Sequence, residues 1–206
     1  MKHDFILLDR SGSMAEHGLW VEAKAAVNDY VKELAAKNVD TGVTLVAFDH
    51  DQGHVQFDVL RDRIIPKTWK PISDEDATPR GMTPLCDAVG RLVTLARAGN
   101  YDNVAIIIMT DGLENMSREL SPSAAKALLD ECRAKGWVVV FLGANFDNAM
   151  QAAQLGNAPA YTAQSSVRNL RGTMAMTAGK RADYAATGTA ATMSFTDEEK
   201  AQAKQQ

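Results

Sequence analysis

Three short runs in this chain are apolar from end to end: Phe5, Ile6, Leu7 and Leu8, then residues 104–109 with Ala105, Ile106, Ile107 and Ile108 among them, then residues 137–142. A strand with water on one face alternates apolar with polar residues, so unbroken runs mark strands covered on both faces, as in parallel sheets. Helical periodicity lies between the runs. Trp20, Ala23, Val27, Tyr30, Val31 and Leu34 recur at three- and four-residue steps, which lays one apolar stripe along a helix. Leu85, Val89, Leu92, Val93 and Ala96 mark a second helix, with Thr83 as its expected N-cap and Pro84 at the first helical position. Ala125, Leu128, Leu129 and Cys132 mark a third, opened by Ser121 and Pro122 and ended by Gly136. Such alternation implies an α/β fold, a doubly wound, mostly parallel, Rossmann-like sheet with helices on both faces. Residues 43–48 and 55–60, joined through His50, Asp51, Gln52 and Gly53, read as a hairpin that adds one antiparallel edge strand.

The rest of the chain is less periodic. Residues 61–82 hold Pro66, Pro71, Pro79 and Gly81 with Asp74, Glu75 and Asp76, and read as a long loop with a solvated acidic cluster. A short helical piece is expected at 149–155, a short strand at 160–162 and a helix from 165 or 166 to about 180. Residues 181–192 are rich in Ala and Thr, and Thr196 with Glu199 forms a capping-box pattern for a short polar helix. The expected organisation is one domain over 1–180 and a C-terminal extension over 181–206.

Composition narrows the function. Of 206 residues 46% are hydrophobic, and 22 Lys and Arg stand against 26 Asp and Glu for a formal charge of −4. That is the balance of a globular protein, without the basic footprint of a nucleic-acid or anionic-membrane binder. Cys86 and Cys132 are far apart and lack CxxC spacing, so neither a zinc ribbon nor a redox pair is encoded. The first apolar stretch is too short for an export signal, and no run reaches the roughly 18 apolar residues of a membrane span. A cytoplasmic protein is the expectation.

In open α/β sheets, ligands collect beyond the carboxyl ends of the strands where the winding direction reverses. At those ends stand Asp9-Arg10-Ser11-Gly12-Ser13 and Thr110-Asp111-Gly112, and the long loop delivers Gly81-Met82-Thr83-Pro84 to the same edge. Two carboxylates and three hydroxyls, with no histidine or thiolate, make an all-oxygen set suited to a hard cation, Mg²⁺ or Mn²⁺, and not to zinc.

In these residues the chain resembles a von Willebrand factor A domain. The metal-ion-dependent adhesion site of that family reads Asp-x-Ser-x-Ser, then Thr, then Asp, and all of its positions are filled here in order by Asp9, Ser11, Ser13, Thr83 and Asp111. The resemblance covers residue 5 to about 155 or beyond. It implies that the Ser11, Ser13 and Thr83 hydroxyls touch the metal, while Asp9 and Asp111 hold it directly or through waters. It further implies that a Glu or Asp exposed on a protein partner completes the coordination, and that the protein is not an enzyme. Without an export signal or flanking modules, the chain resembles the stand-alone cytoplasmic bacterial or phage members, for which an adaptor role toward an AAA+ ATPase through the same site is the alternative.

Rival readings of the motifs are weaker. A haloacid-dehalogenase-type phosphohydrolase would need Asp-x-Asp after the first strand, and position 11 is Ser. Gly179-Lys180 is followed by Arg181 where a P-loop needs Ser or Thr. Asp49, His50, Asp51 and His54 read as a solvated hairpin turn, Glu114 as a surface loop acid, and Asp87 as a complement to its helix dipole. Met14, Met82, Met109 and Met116 are expected to pack.

Overall fold

A computed structural model describes residues 1–144 and 149–205 of the chain. Among the described residues, six strands form one sheet: β1 (Lys2–Asp9), β2 (Gly42–Asp51), β3 (His54–Ile64), β4 (Asn103–Thr110), β5 (Val138–Ala144) and β6 (Thr162–Ser165). Their order is β3-β2-β1-β4-β5-β6, with every neighbouring pair parallel except β2 and β3. The expected doubly wound sheet with one antiparallel edge strand is therefore the observed one. The chain leaves β1 toward β2 on one side and later returns to place β4 on the other. The winding direction thus reverses between β1 and β4, whose carboxyl ends carry Asp9 and Thr110.

Helices α1 (Leu19–Ala36) and α5 (Leu170–Thr187) cover one face. Against them point Ile6, Leu8, Leu45, Ile107, Val140 and Leu142. Helices α2 (Leu85–Arg97), α3 (Pro122–Ala134) and α4 (Ala149–Gln154) cover the other, where Phe5, Leu7, Phe48, Ile106, Ile108 and Phe141 point. The apolar runs are thus alternating strands whose two faces both meet helices.

The structure departs from the sequence expectation in several places. The β2–β3 ladder continues to Asp51 opposite His54, so the turn is Gln52 and Gly53 alone, both left-handed at φ 50° and 82°. That is the backbone a two-residue hairpin of primed type requires. Asp49 and His50 consequently sit in a strand and are buried, instead of lying in a solvated turn. Within the long loop, β3 takes residues to Ile64, while Asp74 and Glu75 of the acidic cluster are exposed as expected and ion pairs tie the segment down. Asp74 pairs with Lys24 and accepts from Trp20 Nε1 at 3.1 Å, and Asp76 pairs with Arg61 at 2.7 Å. The strand expected at 160–162 begins at Thr162, after a 3-10 turn over Pro159–Tyr161. The capping box of α6 (Asp197–Lys204) forms as read, and α6 lies beside β6 through Ser166 N–H to Ala203 O at 3.0 Å.

Helix α5 begins after a 3-10 turn at Val167–Asn169 and runs through residues 180 and 181 to Gly188, whose φ of 70° ends it. Its buried face includes Thr173, Thr177 and Arg181, polar residues that hide the apolar stripe a sequence search looks for. Arg181 is fully buried beneath the amino end of the sheet. It pairs with Asp4 and donates to Asn103 Oδ1 at 2.7 Å, and Asp4 also accepts from Tyr30 at 2.8 Å and Thr41 at 3.2 Å. A buried carboxylate and a buried guanidinium satisfy one another there.

Candidate functional site

The carboxyl end of the sheet carries the other buried carboxylate of β1. Asp9 is fully buried, accepts the Ser11 N–H at 2.7 Å on Oδ1 and accepts the Thr110 hydroxyl at 2.6 Å on Oδ2. Beyond these donors, no Lys, Arg or His nitrogen among the described residues forms an ion pair with it. Burial pushes its carboxyl up to about 7, against the lowering pull of the Thr110 and Ser11 hydrogen bonds and helped by the nearby charge of Asp111. Asp111 is half-buried, and burial raises it as well.

The hydroxyls gather around these acids. Ser13 donates to Asp111 Oδ1 at 2.9 Å, and the Ser11 and Ser13 Oγ atoms lie 3.2 Å apart. A Cβ built on Gly112 would stand 3.5 Å from Thr83 Oγ1 and 3.6 Å from Ser13 Oγ, ordinary contact distances, which places both hydroxyls beside the loop after β4. The structure thus brings Asp9, Ser11, Ser13, Thr83 and Asp111 to one edge. A cleft of about 200 Å³ opens beside them, lined by Ser13, Asp111, Glu16, His17, Leu19 and Val167.

Local chemistry explains the arrangement. Thr83 does not cap α2: the helix begins at Leu85 after Pro84, without a side-chain cap bond. The Thr83 N–H is instead held by Asn115 Oδ1 at 2.9 Å, and its carbonyl accepts the Asn115 N–H at 3.1 Å. The amides of the first turn of α2 find other partners, Cys86 N–H on Glu114 Oε2 at 2.8 Å and Asp87 N–H on Ser117 Oγ at 3.0 Å. With that duty transferred, the Thr83 hydroxyl stays with the site. Glu114 is therefore neither a ligand candidate nor an idle surface acid, since it also accepts from Met116 N–H, Ser117 N–H and the Ser117 hydroxyl at 2.7–2.8 Å. Asp87 does more than complement a dipole. It is buried and accepts the N–H groups of Arg118, Glu119 and Leu120 at 2.7–3.0 Å.

Sequence reasoning missed Thr110, Asn115 and Gln151. Thr110 stands beside Asp111 in the motif that drew attention, and its signal was a hydroxyl at the last position of an apolar strand. Gln151 is buried and reaches Glu114 N–H at 2.6 Å and Gly112 O at 3.1 Å, a contact no local pattern encodes. Met14 and Met109 are buried as expected, whereas Met82 is exposed at the site's rim.

Among the described residues, no group of three or more His, Cys, Asp or Glu side chains is placed to hold a metal ion. Any cation here relies on hydroxyl oxygens beside two carboxylates, and the set fits such an ion in one respect above all. A buried carboxylate normally has a cationic partner, and Asp9 has only neutral donors.

An open α/β sheet with an oxygen-lined crevice at its switch point defines a class of ligand-binding domains. Residues 5–176 match the von Willebrand factor type A domain model, and the chain belongs to that family, whose domains serve as protein-interaction modules. No curated protein sequence matches it. Among solved structures, it is similar to the vWF domain of the type V pili tip protein Mfa5 from Porphyromonas gingivalis, with TM-score 0.66, 13% identity, 91% of this chain covered and 95% of that one. It is also similar to the pilus adhesin SpaC from Lactobacillus rhamnosus GG in its open conformation, with TM-score 0.67, 12% identity and 88% of this chain covered, and it spans 30% of SpaC. A von Willebrand factor type A structure from Catenulispora acidiphila gives TM-score 0.61 at 14% identity, covering 88% of this chain and 42% of that one. These likenesses establish the fold. Among the described residues, no helix is long and apolar enough to cross a membrane.

Proposed function

We propose that the chain is a divalent-cation-dependent protein-binding module, in which Asp9, Ser11, Ser13, Thr83 and Asp111 hold one Mg²⁺ or Mn²⁺ and a Glu or Asp exposed on a protein partner supplies a further oxygen. The observation that carries this reading is Asp9, a fully buried carboxylate with neutral donors alone, converging with a second carboxylate and three hydroxyls. A hard cation held there offers a Lewis-acidic centre to which a carboxylate binds better than a neutral oxygen. The chain's own residues do the rest. Thr110 and the Ser11 amide fix the Asp9 carboxylate, Ser13 orients Asp111, and Asn115 sets the backbone of Thr83.

The same residues favour binding over catalysis. Ser11 and Ser13 are engaged with each other and with Asp111, and Ser11 stands where a phosphohydrolase of this topology carries its acid. A cytoplasmic setting agrees with two free, buried thiols, Cys86 and Cys132.

Titration calorimetry with Mn²⁺ tests the reading. One site is expected, lost in Asp9→Ala and in Asp111→Ala, and with the metal-loaded protein a Glu-bearing peptide is expected to bind while its Gln counterpart does not. Equal Mn²⁺ affinity in both variants and the unaltered protein would overturn the assignment.

A further inference from the structure

We infer that Asp49 is a positioning residue for the candidate centre, using one guanidinium from each of two loops to hold the segment carrying Ser11 and Ser13 at a fixed distance from the segment delivering Thr83. The consequence for cation affinity rests on the metal-binding reading above, whereas the clamp itself does not.

Asp49 lies at the carboxyl end of β2 and is fully buried. Its Oδ2 accepts Arg80 Nε at 2.7 Å, and its Oδ1 accepts an Arg10 terminal nitrogen at 3.4 Å. Arg10 is itself buried between Asp9 and Ser11. Its Nε lies 3.3 Å from Asp49 Oδ2 but lacks hydrogen-bond alignment, and its other end pairs with Asp58. Arg80 also reaches Asp51 at 3.7 Å and Asp58 at 4.0 Å. Two guanidiniums are thus interleaved with three carboxylates where the two loops meet.

The backbone shows what the clamp holds. Arg80 N–H donates to Arg10 O at 2.8 Å and Gly12 N–H to Gly81 O at 3.0 Å, joining the loops directly. Met82 and His50 exchange both backbone bonds, at 2.9 and 3.1 Å, which fastens the second loop to β2 immediately before Thr83. Gly81 is left-handed at φ 65°, and a Cβ there would fall 2.1 Å from His50 O, so the approach tolerates no side chain. Buried ion pairs add little net stability over apolar packing, but removing one partner is costly, which makes such a cluster better suited to fixing geometry than to holding the fold.

The decisive variant is Arg80→Ala, because the Arg80 side chain is 43% exposed and Asp49 keeps Arg10 as a partner when it is removed. Removing a positive charge beside a cation site strengthens cation binding by Coulomb's law, so a loss of affinity separates positioning from bulk electrostatics. Amide hydrogen exchange and Mn²⁺ calorimetry on the full chain, with Arg80→Lys as the conservative comparison, read the two parts. We expect faster exchange at Gly12 and Met82 with Lys200 unchanged, Mn²⁺ affinity reduced about tenfold, and partial recovery of both in Arg80→Lys. Unchanged exchange at Gly12 and Met82 overturns the clamp whatever the metal does. Faster exchange with equal or higher Mn²⁺ affinity overturns its role in positioning the centre. An unaltered protein that binds no Mn²⁺ overturns the metal reading and the affinity consequence with it, while the exchange result still decides the clamp.

Discussion

Asp4 and Asp9 stand near opposite ends of β1, and both are fully buried. At the amino end, Asp4 meets the Arg181 guanidinium, the Tyr30 and Thr41 hydroxyls add their hydrogen bonds, and the charges cancel within the fold. At the carboxyl end, Asp9 has a hydroxyl and an amide, and the charge of another carboxylate, Asp111, bears on it. One strand therefore carries a closed electrostatic circuit at one end and an open one at the other. The closed end ties α5 and α1 to the sheet, and the open end is where the proposed function would seat a cation.

The largest expected effect tests the closed end. Arg181→Met removes the cation that Asp4 needs and leaves a buried carboxylate with hydroxyls alone. The expected cost is about 3–5 kcal/mol of unfolding free energy, measured by urea titration in chelator. A cost under about 1 kcal/mol would break the comparison, because Asp4 would then be no better served by Arg181 than Asp9 is by neutral donors.

Next comes the open end. A carboxyl near 4 in the unfolded chain and raised to about 7 in the fold takes up a proton on folding between those values, so its contribution to metal-free stability falls as pH rises from about 4 to about 7 and is constant above. His3, beside Asp4, runs the other way: burial lowers it to about 4, so its contribution is lost as pH falls from about 6.5 toward 4. The two windows overlap, and the difference between the unaltered protein and Asp9→Asn isolates the Asp9 part. In chelator, Asp9→Asn is expected to be more stable by about 2 kcal/mol at pH 7.5, with the gap closing toward pH 4. A gap independent of pH would remove the charge argument for a cation.

A smaller change sharpens the same point. Thr110→Val deletes the hydroxyl that donates to Asp9 at 2.6 Å. About 1 kcal/mol of stability is expected to go. The pH at which the metal-free stability curve flattens is expected to move upward, since the charged form loses a donor.

Much of this was legible in the sequence, and what was not has a physical reason. Apolar runs without alternation announce strands covered on both faces, so β1, β4 and β5 and the hairpin edge could be read directly. The five oxygen-bearing residues could be listed because each sits at a strand end or before a helix. Their supports could not be, because Asn115, Gln151 and Arg181 act across long stretches of chain on partners that no local period connects. Asp49 was misplaced for a different reason. Histidine and aspartate near a glycine look like turn chemistry, and only the ladder register shows that the turn is two residues long. The helical face of α5 was obscured because threonine and arginine occupy positions where a stripe is normally apolar.

The smallest stability effect and the sharpest functional one are expected from the same substitution. Thr83 is buried, but its backbone is held by Asn115, and the first turn of α2 is satisfied by Glu114 and Ser117, so the hydroxyl has no structural duty to lose. Thr83→Ala should therefore cost less than about 1 kcal/mol in chelator, within the range of changes that remove no cap and leave no cavity of note. If the hydroxyl is one of the oxygens around a cation, Mn²⁺ affinity must fall while the metal-free melting temperature hardly moves. The two ends of β1 then differ in kind, because no substitution around Asp4 can separate stability from a ligand in this way. A Thr83→Ala protein that loses several kcal/mol in chelator, or that binds Mn²⁺ as tightly as the unaltered chain, would return the carboxyl end of the strand to the same class as the amino end.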